Sequence, residues 1–363
     1  MAMHIVELHE LTDGQWEVQD LPISGNYLIT GGPGSGKTSI AIRRTEFIKK
    51  DNPNATVQTF LFTNTLNDFF YDGISTLNIQ SNVQVWAKWQ RSILKQNNAW
   101  PYGFNDHVPW EDLSNQILQL PIKVIYDHLI IDEAQDFSQS DLRLMSLISD
   151  NITVFADENQ LLNDRGVADP ETIKSILNID DEDCYHLKEN HRNTKEIIKA
   201  AASLAPDAID VNIKEVKNTG QKPKVVSLSA IDEEIKYITR IVKANRQKNI
   251  GILHLERSVL YRFHKALSDS TDNNVEFELM KKNTFDFTKT NPKLCTLNSS
   301  KGLEFDIVIM PQMNKDNYYV DNINHKRIYV GMTRAREDLH MSYHGGYPTQ
   351  YIGQIDSNTI DRR

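Results

Sequence analysis

Apolar residues along this chain come in short runs separated by longer amphipathic stretches, and that alternation predicts an α/β protein. "NYLIT" (26–30) reads as a buried strand, and "SIAIRRTEFIKK" (39–50) behind it as an amphipathic helix. Further strand-like runs lie near 57–62, 128–132 and 152–156, with helical patterns between them. A second series follows: "KVVSL" (224–228), "IGILHL" (250–255), "LCTLN" (294–298) and "DIVIM" (306–310). Within it, "IDEEIKYITRIVKANRQ" (231–247) sets Ile231, Ile235, Ile238 and Val242 at helical spacing, a core-facing stripe. Strands alternating with helices build mostly parallel sheets flanked by helices. The division between the two series falls near Leu187, giving domains of 1–186 and 187–363. "NDRGVADPETIKS" (163–175) reads as a surface connection entering a helix at Pro170, and "DDED" (180–183) as a solvated acidic turn.

Composition narrows the class. A chain of 363 residues suits two ordinary domains, and 39% hydrophobic with 25% charged residues is the balance of a soluble globular protein. No apolar run reaches transmembrane length, and "MAMHIVELHELTDG" lacks the apolar core of a signal peptide. Cys184 and Cys295 are too few for a disulfide framework or a cysteine zinc site. The expectation is a cytoplasmic protein without a membrane partner. A net charge of −9 does not advertise nucleic-acid binding, yet a strand gripped in a local groove needs no global basic excess.

Candidate chemistry starts at "LITGGPGSGKTSI" (28–40). Gly31, four residues, then Gly36-Lys37-Thr38 is the phosphate-loop pattern, in its proper place between a strand and a helix. Backbone N–H groups of Gly34, Ser35 and Gly36 would face the β-phosphate of ATP at the positive end of the helix dipole. Lys37 would neutralise β/γ oxygens and the Thr38 hydroxyl would bind Mg²⁺. A plain glycine turn before a helix is the alternative. "HLIIDEAQDFS" (128–138) then ends an apolar run in Asp132-Glu133, as at the carboxyl end of a buried parallel strand. Asp132 would hold the Mg²⁺ shell and Glu133 would orient the attacking water, which favours hydrolysis over transfer to a second substrate.

"DEAQD" and the segments around it resemble the superfamily 1 helicases of the UvrD/Rep/PcrA type, in order from about residue 11 to residue 352. That resemblance implies two RecA-like lobes and a DNA-dependent ATPase moving along single-stranded DNA in the 3′-to-5′ direction. "LTDGQ" (11–15) is similar to the adenine-reading motif, with Gln15 as its glutamine. "TFLFTNTLNDFF" (59–70) is similar to motif Ia, which implies DNA contacts by Phe62, Thr63 and Asn64. "VQVWAKW" (83–89) stands where motif Ib belongs, with Trp86 in the aromatic place, although Trp86 and Trp89 equally suit a core. "VFADENQ" (154–160) resembles motif III and makes Gln160 the γ-phosphate sensor. "LKENHRNTKEI" (187–197) is similar to motif IV, with Arg192 reaching the γ-phosphate and His191 in the place of a tyrosine that stacks on adenine. "CTLNSSKGLEFDIVIMP" (295–311) resembles motif V, with Lys301, Gly302 and the nucleotide-binding Glu304 in place and Ser299 and Ser300 beside the DNA. "RIYVGMTRAREDL" (327–339) resembles motif VI and gives Arg334 as a second arginine finger.

The chain departs from the family in its DNA-handling parts. The intervals from Trp89 to His128 and from "GILHLERS" to motif V are too short for the accessory subdomains 1B and 2B. Leu161-Leu162-Asn163-Asp164 follows Gln160 where a base-stacking aromatic is usual, and Asn298 replaces a histidine. After motif VI there is room for little more than a Gly345-Gly346 turn in place of a strand-separating hairpin. Two functions stay open: a minimal DNA translocase or helicase, and an ATP-driven switch that regulates a nuclease or other effector protein. A small-molecule kinase is disfavoured by Glu133, Gln160, Arg192 and Arg334 together.

Overall fold

A computed structural model describes residues 5–101, 110–157, 166–167, 169–204, 216–270, 275–280, 291–319 and 324–363. The chain divides into two compact units. The first comprises Met3–Gly31 with Gly36–Leu187, and the second Lys188–Arg363 with the short loop Gly32–Ser35. Each is a parallel β-sheet flanked by α-helices.

The sheet of the first unit contains β1 (Asn26–Gly31), β2 (Val57–Leu61), β3 (Asn82–Val85), β4 (His128–Ile131), β5 (Ile152–Ala156) and β6 (Cys184–Leu187). They lie in the order β3-β2-β4-β5-β1-β6, all parallel. Every position of β2, β4 and β5 is buried, which is why these strands read as unbroken apolar runs. Alternate residues feed two cores: Leu129, Ile131 and Val154 face one side of the sheet, Ile130 and Phe155 the other. Helices α1 (Asp13–Gln19), α2 (Lys37–Asp51) and α3 (Asn64–Thr76) precede β3, and α4 (Trp86–Gln96) and α5 (Trp110–Ile117) lie between β3 and β4. Helices α6 (Gln139–Ile148) and α7 (Pro170–Leu177) complete the unit. Their starts are written locally. The Thr12 and Ser138 hydroxyls cap α1 and α6, while Asp169 caps α7 ahead of Pro170 at its first position.

In the second unit the main sheet contains β9 (Lys224–Leu228), β10 (Ile250–His254), β11 (Glu278–Leu279), β12 (Lys293–Thr296), β13 (Phe305–Met310), β14 (Ala335–His344) and β15 (Asp361–Arg362). Their order is β11-β12-β10-β13-β14-β9-β15, again all parallel. A separate parallel pair, β7 (Asn190–Thr194) with β8 (Val216–Asn218), precedes it in sequence. The helices are α8 (Lys195–Ala202), α9 (Ile231–Ala244), α10 (Arg257–Ser270), α11 (Asn324–Thr333) and α12 (Gln350–Gln354). The expected stripe on α9 does face the core: Ile238 and Val242 are buried against Ile250 and Ile252, with Ile231 and Ile235 packed at the margin. After β14 the chain turns at Gly345 and Gly346, both at positive φ, and runs into α12.

Candidate functional site

The carboxyl ends of β1, β5 and β4 are neighbours in the first sheet, and polar side chains collect there as they do at ligand-binding edges of parallel sheets. Lys37, at the start of α2, donates to the Gly31 carbonyl at 2.6 Å and to Asp157 Oδ2 at 3.3 Å. The next residue, Thr38, donates its hydroxyl to Asp132 Oδ2 at 2.8 Å, and the other oxygen of Asp132 accepts from the Glu133 N–H at 3.0 Å. Asp132 is wholly buried. Burial lifts its carboxyl above the usual range and the adjacent Glu133 lifts it further, with Thr38 and Lys37 offsetting only part.

Glu133 follows at φ 57 and ψ 46, a left-handed backbone that a non-glycine residue adopts at a cost of about 1–2 kcal/mol. Its Oε2 accepts from Gln135 Nε2 at 2.6 Å, and Gln135 Oε1 accepts from the Asp157 N–H at 2.9 Å. One glutamine thus ties the Glu133 carboxylate to the backbone at Asp157. Gln15 stands close by: a Cβ on Gly36, at φ 87, would lie 2.6 Å from its Nε2, while its Oε1 accepts from the Thr12 N–H. Glycine at 36 is required by its conformation, and a side chain there would also displace the Gln15 amide.

A donor set of one hydroxyl and one buried carboxylate suits a hard cation that takes its remaining ligands from phosphate and water, as Mg²⁺ does. Among the described residues, no group of three or more His, Cys, Asp or Glu forms a self-sufficient metal cage.

The second unit gathers its own set around the loop Gly32–Ser35. The His191 N–H donates to the Gly34 carbonyl at 3.0 Å, and Asn190 Nδ2 donates to the Pro33 carbonyl at 2.7 Å. Gly34 lies at φ 77, and a Cβ there would meet Arg192 Cβ and Asn190 Oδ1 at 2.7 Å each. Arg192 Nε donates to Glu304 Oε1 at 2.7 Å, so two residues expected at the nucleotide pair with each other. Burial would raise the Glu304 carboxyl, but Arg192, helped by Arg336 and Arg334, draws it below the usual range. His191 forms its own pair with Glu189 at 3.0 Å. Arg334 is buried between α11 and β14, donating to the carbonyls of Val330 and Leu303.

The expected DNA contacts fare differently. Phe62 is 36% exposed and meets the Phe137 ring in a T-shaped contact at 5.5 Å. Thr63 caps α3 with its hydroxyl, and Asn64 opens that helix. Ser299 is half-buried and accepts from the Thr296 hydroxyl. Trp86 requires correction. It is only 4% exposed, stacks on Trp89 at 4.6 Å and donates its indole N–H to the buried Asp141 at 2.7 Å. The apolar alternation that places an aromatic after β3 serves the core, so no ring face remains for a base. Ser300 is fully buried, and its hydroxyl donates to the Leu297 carbonyl at 2.7 Å. Gln160 and Leu161-Leu162-Asn163-Asp164 lie outside the described residues.

Four residues that sequence reasoning assigned no role belong to these clusters: Asp157, Gln135, Asn190 and Asn193. Asp157 had a signal, since it ends β5 as Asp132 ends β4. The two asparagines had none, because nothing in "ENHRNT" marks an amide that will meet a distant carbonyl.

Comparison with known proteins bears on this geometry. No curated protein matches the chain. Among solved structures it is similar to the C-terminal domain of a possible DNA helicase from Lactobacillus plantarum, at 17% identity and a TM-score of 0.39, covering 47% of this chain and 98% of that one. It is also similar to the arterivirus nonstructural protein 10 helicase, at 13% identity and a TM-score of 0.45 over 94% of this chain, which spans 64% of that chain's length. Residues 294–342, which run from β12 into β14, match the UvrD-like helicase C-terminal domain. The model of the Schlafen group 3, DNA/RNA helicase domain matches residues 24–248, more than half of the sequence, and the chain belongs to that family.

Proposed function

We propose that this protein is a nucleic-acid-stimulated ATPase that works as a minimal motor on single-stranded DNA. The observation that supports this most directly is the pairing at adjacent strand ends of Lys37 with Asp157 and of Thr38 with Asp132. Lys37 and Asp157 neutralise each other, and the Thr38 hydroxyl donates to Asp132. With ATP bound, Lys37 would exchange its Asp157 contact for phosphate oxygens, and the N–H groups of Gly34, Ser35 and Gly36 would receive the β-phosphate. Thr38 and Asp132 would hold Mg²⁺, which supplies charge neutralisation on the phosphates. Glu133, aimed by Gln135, would orient the attacking water, and Gln160 would sense the γ-phosphate. Gln15 and His191 would take the adenine side, and Glu304 would release Arg192 on nucleotide binding. The reading requires that Arg192 and Arg334 reach the γ-phosphate during turnover, where an arginine contributes about 10³–10⁵ in rate. Phe62, Thr63, Asn64 and Ser299 remain the candidate contacts to the strand; 3′-to-5′ polarity is part of the proposal.

A second reading gains support from the burial of Trp86 and Ser300. With fewer side chains available to a strand, the ATP cycle would switch a nuclease or other effector protein instead of driving movement.

ATP hydrolysis by the purified protein, with and without single-stranded DNA or RNA, separates the two. Strong stimulation by a polynucleotide, lost in Lys37→Ala and in Arg334→Ala, is the expected result. Hydrolysis indifferent to both nucleic acids, yet lost in both variants, would overturn the motor and leave the switch.

A further inference from the structure

We propose that Asn190 and Asn193 are positioning residues, a two-amide relay that sets the backbone carrying Arg334 according to the state of the phosphate loop. The inference rests on the ATPase reading above and names a device within it.

Both side chains are buried, at 1% and 0% exposure, and every hydrogen-bonding atom of both amides is engaged. Asn193 Nδ2 donates to the carbonyls of Thr333 at 2.8 Å and Ala335 at 2.6 Å, the two residues that bracket Arg334. Two carbonyl partners fix which end of that amide is nitrogen. Its Oδ1 is thereby left to accept from Asn190 Nδ2 at 3.0 Å, and this in turn fixes the Asn190 amide. The remaining hydrogen on Asn190 Nδ2 goes to the Pro33 carbonyl at 2.7 Å. Asn190 Oδ1 accepts from the N–H groups of Arg192 and Asn193 at 3.0 and 2.9 Å, so the relay also holds the turn that carries Arg192. The loop lies directly on the relay: a Cβ at Gly34 would come within 2.7 Å of Asn190 Oδ1.

The Thr333 carbonyl ends α11, where backbone acceptors lack an intrahelical partner, and the Ala335 carbonyl opens β14. Arg334 is the single residue between these two elements, so a side chain bonded to both flanking carbonyls holds the direction in which that residue leaves the helix. If nucleotide moves the Pro33 carbonyl, the displacement passes through two rigid amides to the arginine's backbone. A shift of about 1 Å at such a point changes rates by about a hundredfold.

Steady-state ATP hydrolysis of Asn193→Ala, Arg334→Ala and the double variant, with active sites counted by stoichiometric binding of a fluorescent ATP analogue, tests this. The expected result for Asn193→Ala is a kcat per active site lower by about ten- to a hundredfold, a KM for ATP within about twofold, and a double variant no slower than Arg334→Ala alone. A purely structural role would lower the count of active sites while leaving kcat per site unchanged, and that outcome overturns the relay. Losses that multiply in the double variant overturn it too. Should Asn193→Ala fail to fold, Asn193→Ser retains one donor and is expected to show a smaller kcat loss with the same unchanged KM; an unchanged kcat there is equally fatal. Absence of hydrolysis in the wild-type protein, with DNA or RNA present, overturns the ATPase reading and the relay with it.

Discussion

At the strand ends of the first unit, buried charges are set against one another: Lys37 touches Asp157, and Asp132 lies beside Glu133 with only a hydroxyl and N–H groups between them and solvent-free protein. Three buried titratable groups of the second unit's interior lean instead mainly on neutral partners. His340 shares a 2.7 Å hydrogen bond with the Tyr237 hydroxyl, His254 accepts from the Glu256 N–H, and Glu234 accepts from the Gln312 N–H and the Ser342 hydroxyl, with the His344 ring 3.2 Å away. A dispersed polar group that is satisfied by neutral neighbours stabilises the fold and asks for nothing more. Charges crowded at one sheet edge carry a desolvation penalty that a ligand relieves. The strand ends of the first unit concentrate buried charge, whereas these groups of the second unit are spread through its interior.

The sharpest way to break that contrast is Lys37→Ala. It is expected to abolish ATP hydrolysis and also to destabilise the first unit by about 3–5 kcal/mol, because Asp157 keeps its buried charge without the lysine. A variant that lost activity at unchanged stability would show that the pair is not an electrostatic partnership.

Asp132→Asn tests the same idea from the other side. Removing the crowded carboxylate should raise the nucleotide-free protein's stability by about 0.5–2 kcal/mol, read as a higher thermal midpoint, while Mg²⁺-dependent hydrolysis collapses. A lower midpoint would mean that the carboxylate is structural.

Acid separates the units further. Burial pushes His254 and His340 down to about 4, so as pH falls below about 6.5 the unfolded chain takes up protons that the folded second unit refuses. Each histidine removes up to about 1.4 kcal/mol per pH unit down to about pH 4. In the first unit His128 is shifted the same way, but Asp132 is shifted upward, so its contribution grows as pH falls. Hydrogen exchange at pH 7 and pH 5 should therefore show protection falling more in β10 and β14 than in β1, β4 and β5. Equal losses would sink the distinction.

The smallest effects concern the aromatic residues. Trp86→Phe removes the indole donor to Asp141 and should destabilise by about 1–3 kcal/mol, with affinity for single-stranded DNA unchanged. Phe62→Ala should do the reverse, weakening DNA by about 1–3 kcal/mol with little change in stability. An exchange of these two phenotypes would move the candidate strand contact from Phe62 to Trp86.

Much of the architecture was readable because parallel strands buried on both faces must be continuously apolar. "KVVSL" is β9 without a residue's error, and "IGILHL" and "DIVIM" differ from β10 and β13 by one residue. Strands β3, β6, β7, β8, β11 and β15 were missed, since two to five residues with polar members carry no period, and the ten-residue β14 was missed because charged residues open it. At the candidate site, the residues read in advance were those whose chemistry is local, such as Lys37 and Thr38 on one helical turn or Asp132 at a strand end. Asn190 and Asn193 act on carbonyls far along the chain, and Trp86 owes its place to Asp141 on another helix. Such partnerships exist only after folding, and a side chain's type alone does not announce them.

The stacked pair Trp86 and Trp89 has an optical consequence. Trp16, Trp100 and Trp110 are the chain's remaining tryptophans, and all five precede residue 187. Indole emission is therefore a label carried by the first unit alone, while the thirteen tyrosines are shared by both. Two stacked indoles at 4.6 Å, inclined by 11°, should also couple as oscillators and give a near-ultraviolet dichroism that vanishes when that core opens. Indole light thus follows the opening of the first unit by itself, without a dye or a substitution.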